Sequence, residues 1–167
     1  ISTRDWSSDV CSSDLRVVVL SFDGGQMTID CLQSLAATDW PRDRLEVVMV
    51  DNGSLDDVTA RVRRDMSWVR VLEPLRNLGF AGGCNLGLSA NVDSDGAALV
   101  DYEFAALINN DATVDPGWLR GLWSGFDAGD DVGAVSANML FHDRFRGIDV
   151  SVSETTMAGS GDRKSTR

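Results

Sequence analysis

The tightest constraint on this chain is a pair of short runs, VVVL at 17–20 and VVMV at 47–50, that are apolar at every position. A strand with one wet face alternates apolar and polar residues, whereas an unbroken β-branched run belongs to a strand covered on both faces. Both runs stop abruptly in turn-forming sequence, Asp23-Gly24-Gly25 after the first and Asp51-Asn52-Gly53-Ser54 after the second. Two further strands are predicted, WVRVLE at 68–73 and EFAALI at 103–108. The first leads into a glycine-rich loop and the second ends at Asn109-Asn110-Asp111. A fifth strand is predicted over VGAVSANMLF, Val132 to Phe141.

Helical patterns separate these runs. QMTIDCLQSLAAT places Thr28, Cys31, Leu32 and Leu35 on one face, and Pro41 disfavours helix at Trp40. LDDVTARVRRDM reads as a helix with Ser54 as its cap. The loop NLGFAGGCNLGLSAN runs into a helix expected to turn Ala81, Cys84 and Leu88 inward. DPGWLRGLWSGF is a helix with Asp115 as cap and Pro116 at its first position. Strand and helix in alternation predict an α/β fold, a mostly parallel sheet wrapped by helices. Such sheets receive ligands beyond the carboxyl ends of their strands, and here four strand ends carry polar or glycine-rich sequence.

Composition narrows the function. A formal charge of -11 over 167 residues argues against nucleic-acid binding, which usually needs a basic face. It leaves room for a nucleotide, whose phosphates local donors and a cation can hold. No apolar run reaches the roughly 20 residues of a membrane helix, and no secretory leader is visible. Cys11, Cys31 and Cys84 make no disulfide framework, so a reducing, cytoplasmic compartment is expected. The segments 1–15 and 142–167 differ from the body. They are rich in Ser and Asp, and the single lysine, Lys164, lies in the second. Both are expected to be non-native or disordered tails.

Each polar strand end has two readings. Asp111, beside two amides, is an oxygen ligand for Mg²⁺ or Mn²⁺, or else a turn former. Asp51 accepts from a base or ribose, or closes a local turn. The glycines of GFAGG admit close backbone approach to a ligand, or to a neighbouring element. They match neither the dinucleotide fingerprint nor a P-loop. Cys84 has no activating neighbour and Cys31 lies on the inward helix face, so both read as packing residues. His142, the single histidine, reads as a surface residue.

In order, VVVLSFDGG, VVMVDNGS, RNLGFAGGCNLGL and ALINNDATVDPGWL resemble glycosyltransferase family 2, inverting enzymes of the GT-A fold. The last two segments resemble its rhamnosyltransferase-type branch, which builds bacterial cell-wall and surface polysaccharides. The resemblance spans nearly all of Arg16 to Phe141; it makes 16–141 the nucleotide-sugar-binding half of a larger enzyme and puts the start of its acceptor region in 142–167. It implies that Asp51 contacts the base and that Phe22 and Asp23 line the same pocket. The Arg76–Asn85 loop, with Asn77, Gly79 and Asn85, would close over the uridine or thymidine. Asn109-Asn110-Asp111 stands in the place of the family's D-x-D motif. Asp111 matches its metal-binding carboxylate, Asn109 replaces the first acid, and Asn110 lies beside the sugar. The implied partners are a dTDP- or UDP-linked sugar with Mg²⁺ or Mn²⁺, and a lipid-linked or polysaccharide acceptor. The full-length protein would sit in the cytoplasm, peripheral at the inner face of the plasma membrane. The family's general base, an Asp or Glu, lies further downstream. Asp143 and Asp149 fall too early to match it, so the catalytic base is unassigned and this fragment alone is expected to lack it.

Three other readings compete. A nucleotidyltransferase would want a cation in SFDGGQMT, and a phospho-acceptor signalling domain would want a lysine in the body. A non-catalytic nucleotide- or glycan-binding module predicts nucleotide binding that is independent of metal.

Overall fold

The structure, a computed structural model, describes residues 15–129 and 131–137. Apart from Leu15, the two expected tails lie outside the described residues, as do Cys11, His142, Asp143 and Asp149. The chain divides into two compact units, Ile1–Asp115 and Pro116–Arg167.

The first unit is built as β1 (Leu15–Ser21), α1 (Gly25–Ala36), β2 (Leu45–Asp51), α2 (Val58–Asp65), β3 (Val69–Leu72), α3 (Gly79–Ser89) and β4 (Phe104–Asn109). A single turn of 3-10 helix, Arg42–Arg44, precedes β2. The four strands form one parallel sheet in the order β3-β2-β1-β4. The chain therefore steps outward from β1 to β3 and then returns to the far side of β1.

Both faces of the central strands are covered, as the unbroken apolar runs require. Val18, Val48, Val50, Leu72 and Leu99 form a buried cluster, with Leu20, Leu86, Leu88 and Ala90 packed against it from the α3 side. Val17, Val19, Val47 and Met49 are equally buried and, by the pleat, face the other way. Ser21 shares their face and its hydroxyl bonds Thr28 of α1 at 3.0 Å, so α1 covers that side. Thr28, Ile29, Cys31, Leu32 and Leu35 are the buried residues of α1. Each fully buried Val or Leu contributes roughly 1.5–3 kcal/mol.

Several local expectations are corrected. The second helix begins at Val58 rather than Leu55, and Ser54 does not cap it. The Ser54 hydroxyl instead accepts the N–H of Asp23. In α3 the buried residues are Gly83, Cys84 and Gly87, and Leu88 packs on the core as expected, while Ala81 is exposed. A Cβ on Gly83 would come 2.3 Å from Leu20 Cδ1, and one on Gly87 would come 2.4 Å from Val18 Cγ1. These two glycines exist for helix–sheet contact. The predicted fifth strand is not one over residues 132–137, which carry no regular structure, and 138–141 lie outside the described residues.

Arg16 is a charged residue in the middle of this packing, 3% exposed. It pairs with Glu46, its register partner on β2, at 3.0 Å. It also donates to the carbonyls of Gly87, Leu88, Ala90 and Val100 and stacks 4.6 Å from the centre of the Tyr102 ring. The guanidinium thus sits at the negative end of α3 and satisfies its terminal carbonyls.

The second unit contains α4 (Trp118–Gly125) and a 3-10 turn, Phe126–Ala128. Helix α4 starts at Trp118 with Gly117 at its cap position, two residues later than the sequence predicts. Among the described residues, no helix is long and apolar enough to cross a membrane.

Candidate functional site

Because every strand is parallel, all four polar strand ends fall on the carboxyl edge of the sheet. The register makes this definite. Ser21 pairs with Asp51 on one side of β1, and Leu20 pairs with Asn109 on the other. With strands about 4.8 Å apart, the tips of β2 and β4 stand about 10 Å from one another across β1. The chain reverses direction between β1 and β4, and ligands of open α/β sheets bind at such a reversal.

Asp51 is 7% exposed and its carboxylate is held from within. Oδ1 accepts the N–H of Ser54 at 2.9 Å and Oδ2 accepts the Thr59 hydroxyl at 2.5 Å. A carboxylate has about four lone-pair positions, so it retains capacity for a ligand donor.

Phe22 is 53% exposed at the end of β1. Asp23 beside it has φ +47°, a left-handed conformation that aspartate tolerates better than most residues. Its Oδ1 accepts the N–H of Leu55 at 2.7 Å, and the N–H of Gly25 goes to Asp56 Oδ2 at 2.8 Å. The loops after β1 and β2 are therefore cross-bonded into one rim.

The loop after β3 is tied to the same rim by Asn52, which sequence reasoning missed. Its side chain donates to Asn77 Oδ1 at 3.1 Å and to the Gly79 carbonyl at 3.2 Å, and it accepts from the N–H of Leu78 at 2.8 Å. Asn77 Oδ1 also takes the N–H of Gly79 at 2.8 Å. Gly79 has φ +70°, which explains a glycine there. Asn85 is exposed further along α3 and joins none of these bonds. DNGS looks like an ordinary turn, so the only signal for Asn52 was its adjacency to Asp51. Nothing in the sequence pointed to Thr59, eight residues on.

On the far side of β1, Asn109 and Asp111 are exposed and Asn110 is half-buried. The Asn110 amide donates to Thr28 Oγ1 at 2.9 Å. Asp111 makes its presence felt at Cys31, whose thiol donates to the Asn109 carbonyl at 3.7 Å. Burial, and secondarily the negative charge of Asp111, push that thiol up to about 12. Burial likewise raises Cys84. Both cysteines are thus protonated packing groups.

Among the described residues no group of three His, Cys, Asp or Glu side chains converges as a metal cage. The donors at the β4 tip are one exposed carboxylate and an exposed amide. That set fits Mg²⁺ or Mn²⁺, which are bound through one or two carboxylates and completed by substrate phosphate and water. A cavity of about 150 Å³ lies elsewhere, at the amino ends of the strands by Leu15, Leu45, Trp68 and Tyr102.

A four-stranded parallel α/β sheet whose carboxyl edge gathers these loops is a GT-A fold of the nucleotide-diphospho-sugar-transferase type, and solved structures agree. TarS from S. aureus, residues 1–349 in complex with UDP-GlcNAc, superposes with TM-score 0.57 at 23% identity, over 69% of this chain and 31% of that one. The mannosyltransferase PcManGT from Pyrobaculum calidifontis, in complex with GDP-Man and Mn²⁺, gives 0.64 at 25% identity, over 77% of this chain and 36% of that one. A sequence profile described as Glycosyl transferase family 2 matches residues 16–147, and the chain belongs to that family. It spans 20% of the longer TarS chain. No curated protein matches it.

Proposed function

We propose that this chain is the donor-binding part of an inverting glycosyltransferase that takes a nucleotide-diphospho-sugar with a divalent cation. The observation that carries the reading is the register that sets Asp51 and the Asn109–Asp111 tip on either side of β1 at one edge. Relatives of the same fold have been crystallised with UDP-GlcNAc, with UDP, and with GDP-Man and Mn²⁺.

In this reading Asp51, held by Ser54 and Thr59, accepts from the nucleobase, and the Phe22–Asp23 rim and Asn77–Gly79 loop enclose the nucleoside. Asn85 completes that wall. Asp111 holds the cation, with Asn109 as a neutral neighbour. The bound cation supplies charge neutralisation for the departing diphosphate. Asn110 keeps its amide on Thr28 and fixes the tip, with Oδ1 turned to account by the sugar. The donor is a dTDP- or UDP-linked hexose, with rhamnose as first candidate, and the acceptor a lipid-linked or cell-wall polysaccharide. None of the carboxylates among the described residues is assigned as the base.

Calorimetric titration of UDP, dTDP and GDP, with and without Mn²⁺, tests this on wild type and Asp111→Ala. Binding should require Mn²⁺ and weaken about tenfold or more in the variant, a loss of at least about 1.4 kcal/mol. Equal binding without metal would instead support a non-catalytic nucleotide-binding module.

A further inference from the structure

We infer that Asn52 is a positioning residue: its buried side chain clips the Asn77–Gly79 loop to the tip of β2 in the shape that receives the nucleotide. The inference rests on the nucleotide-binding reading and adds to it how the pocket is formed before ligand arrives.

Asn52 is 3% exposed, and all three of its side-chain hydrogen bonds go to residues 77–79. Among the described residues, no other hydrogen bond ties those three residues to a different strand tip. The loop itself is otherwise open: Arg76, Asn77 and Gly79 are exposed, and no atom lies within 4 Å of a Cβ built on Gly79. A buried amide against an exposed loop is costly unless every polar atom is matched, and here every bond it makes holds that loop still. A loop already held loses less freedom when ligand binds.

The chemistry singles out asparagine. The site needs a donor toward two acceptors, Asn77 Oδ1 and the Gly79 carbonyl, and an acceptor toward the N–H of Leu78. A short amide supplies both from one side chain. Aspartate would keep the acceptor but set a carboxylate against two oxygens. Glutamine would add a methylene where almost no space is open. Asn77 acts through Oδ1, which also takes the N–H of Gly79. Replacing Asn77 by Ala therefore removes one of the clip's three bonds, while the Asn52 bonds to Leu78 and Gly79 stay; replacing Asn52 by Ala removes all three.

The test uses the 167-residue chain as wild type, Asn52→Ala, Asn77→Ala and the Asn52→Ala/Asn77→Ala double variant. Three quantities are read: amide hydrogen exchange without nucleotide, the Kd for UDP with Mn²⁺, and the thermal midpoint. Exchange at Leu78 and Gly79 should quicken at least about tenfold in Asn52→Ala while the strands stay protected. UDP should bind about tenfold more weakly to Asn52→Ala, and the loss in the double variant should be less than the sum of the two single losses. Unchanged exchange at Leu78 and Gly79, or fully additive losses, would overturn the inference. Should Asn52→Ala fail to fold, Asn77→Ala at an exposed position decides it: exchange at Leu78 without nucleotide should quicken although its own bond to Asn52 is kept, and unchanged exchange there would overturn the inference. A wild type that binds no nucleotide would sink the functional reading, and the clip would still be judged by exchange.

Discussion

The side-chain amide of Asn110 donates to Thr28 Oγ1 at 2.9 Å, so the middle residue of the β4 tip is anchored to α1. Thr28 in turn bonds Ser21 at the end of β1. Three elements are locked at the point where the chain reverses, and the flanking Asn109 and Asp111 are left exposed.

That lock explains Gly24. A Cβ there would lie 1.9 Å from Asn110 Nδ2 and 2.2 Å from Thr28 Oγ1. Gly24→Ala should therefore destabilise by roughly 1–3 kcal/mol through overpacking, and Asn110→Ala by about 1 kcal/mol through the lost hydrogen bond. Urea denaturation of both single variants and the double should show that Gly24→Ala costs less once Asn110 is truncated. Strict additivity would mean that the two residues do not share this space.

The glycines of α3 make a second contrast. In an exposed helix interior, Gly→Ala stabilises by up to about 1 kcal/mol, and Gly121 of α4, with nothing within 4 Å of its Cβ position, should follow that rule. Gly87→Ala should reverse it, losing roughly 1–3 kcal/mol, because the new methyl meets the short, buried side chain of Val18 at 2.4 Å and Val50 at 3.1 Å. Gly83→Ala should cost less than Gly87→Ala, since its obstacle is the end of the longer Leu20 side chain. Thermal midpoints of the three variants check the order.

Stability at high pH should carry the mark of Cys31. The native thiol keeps its proton to about 12, whereas an unfolded cysteine releases it near its ordinary value of 9.0. Between those values the unfolded state binds fewer protons, so stability falls as pH rises. The slope should be about 1.4 kcal/mol per pH unit steeper than in Cys31→Ala. Denaturation curves at pH 9 to 11 measure this difference, and parallel profiles would contradict it.

Strands β1 to β4 and α1 were legible because β-branched runs and a 3.6-residue stripe are direct consequences of burial. The α3 face was read in part: Cys84 and Leu88 turn inward as expected, but Ala81 does not, because close contact with the sheet selects Gly83 and Gly87, which carry no side chain to score. EFAALI has the composition of a covered strand, yet among the described residues β4 lies at the sheet's edge and Leu107 is 51% exposed. The candidate site was readable as a set of polar strand ends. Which of those side chains face inward was not, since Asn52 and Asn110 owe their roles to partners 25 and 82 residues away.

The most direct measurement of the central claim is NMR mapping of UDP with Mg²⁺ on the isotopically labelled chain, followed by trace Mn²⁺. The account predicts that amides of Asp51–Ser54, Leu78–Gly79 and Asn109–Asp111 shift together along one saturation curve, with Mn²⁺ broadening strongest at Asp111. Shifts confined to one side of β1, or centred on the Leu15, Leu45 and Tyr102 cavity at the opposite edge, would contradict it.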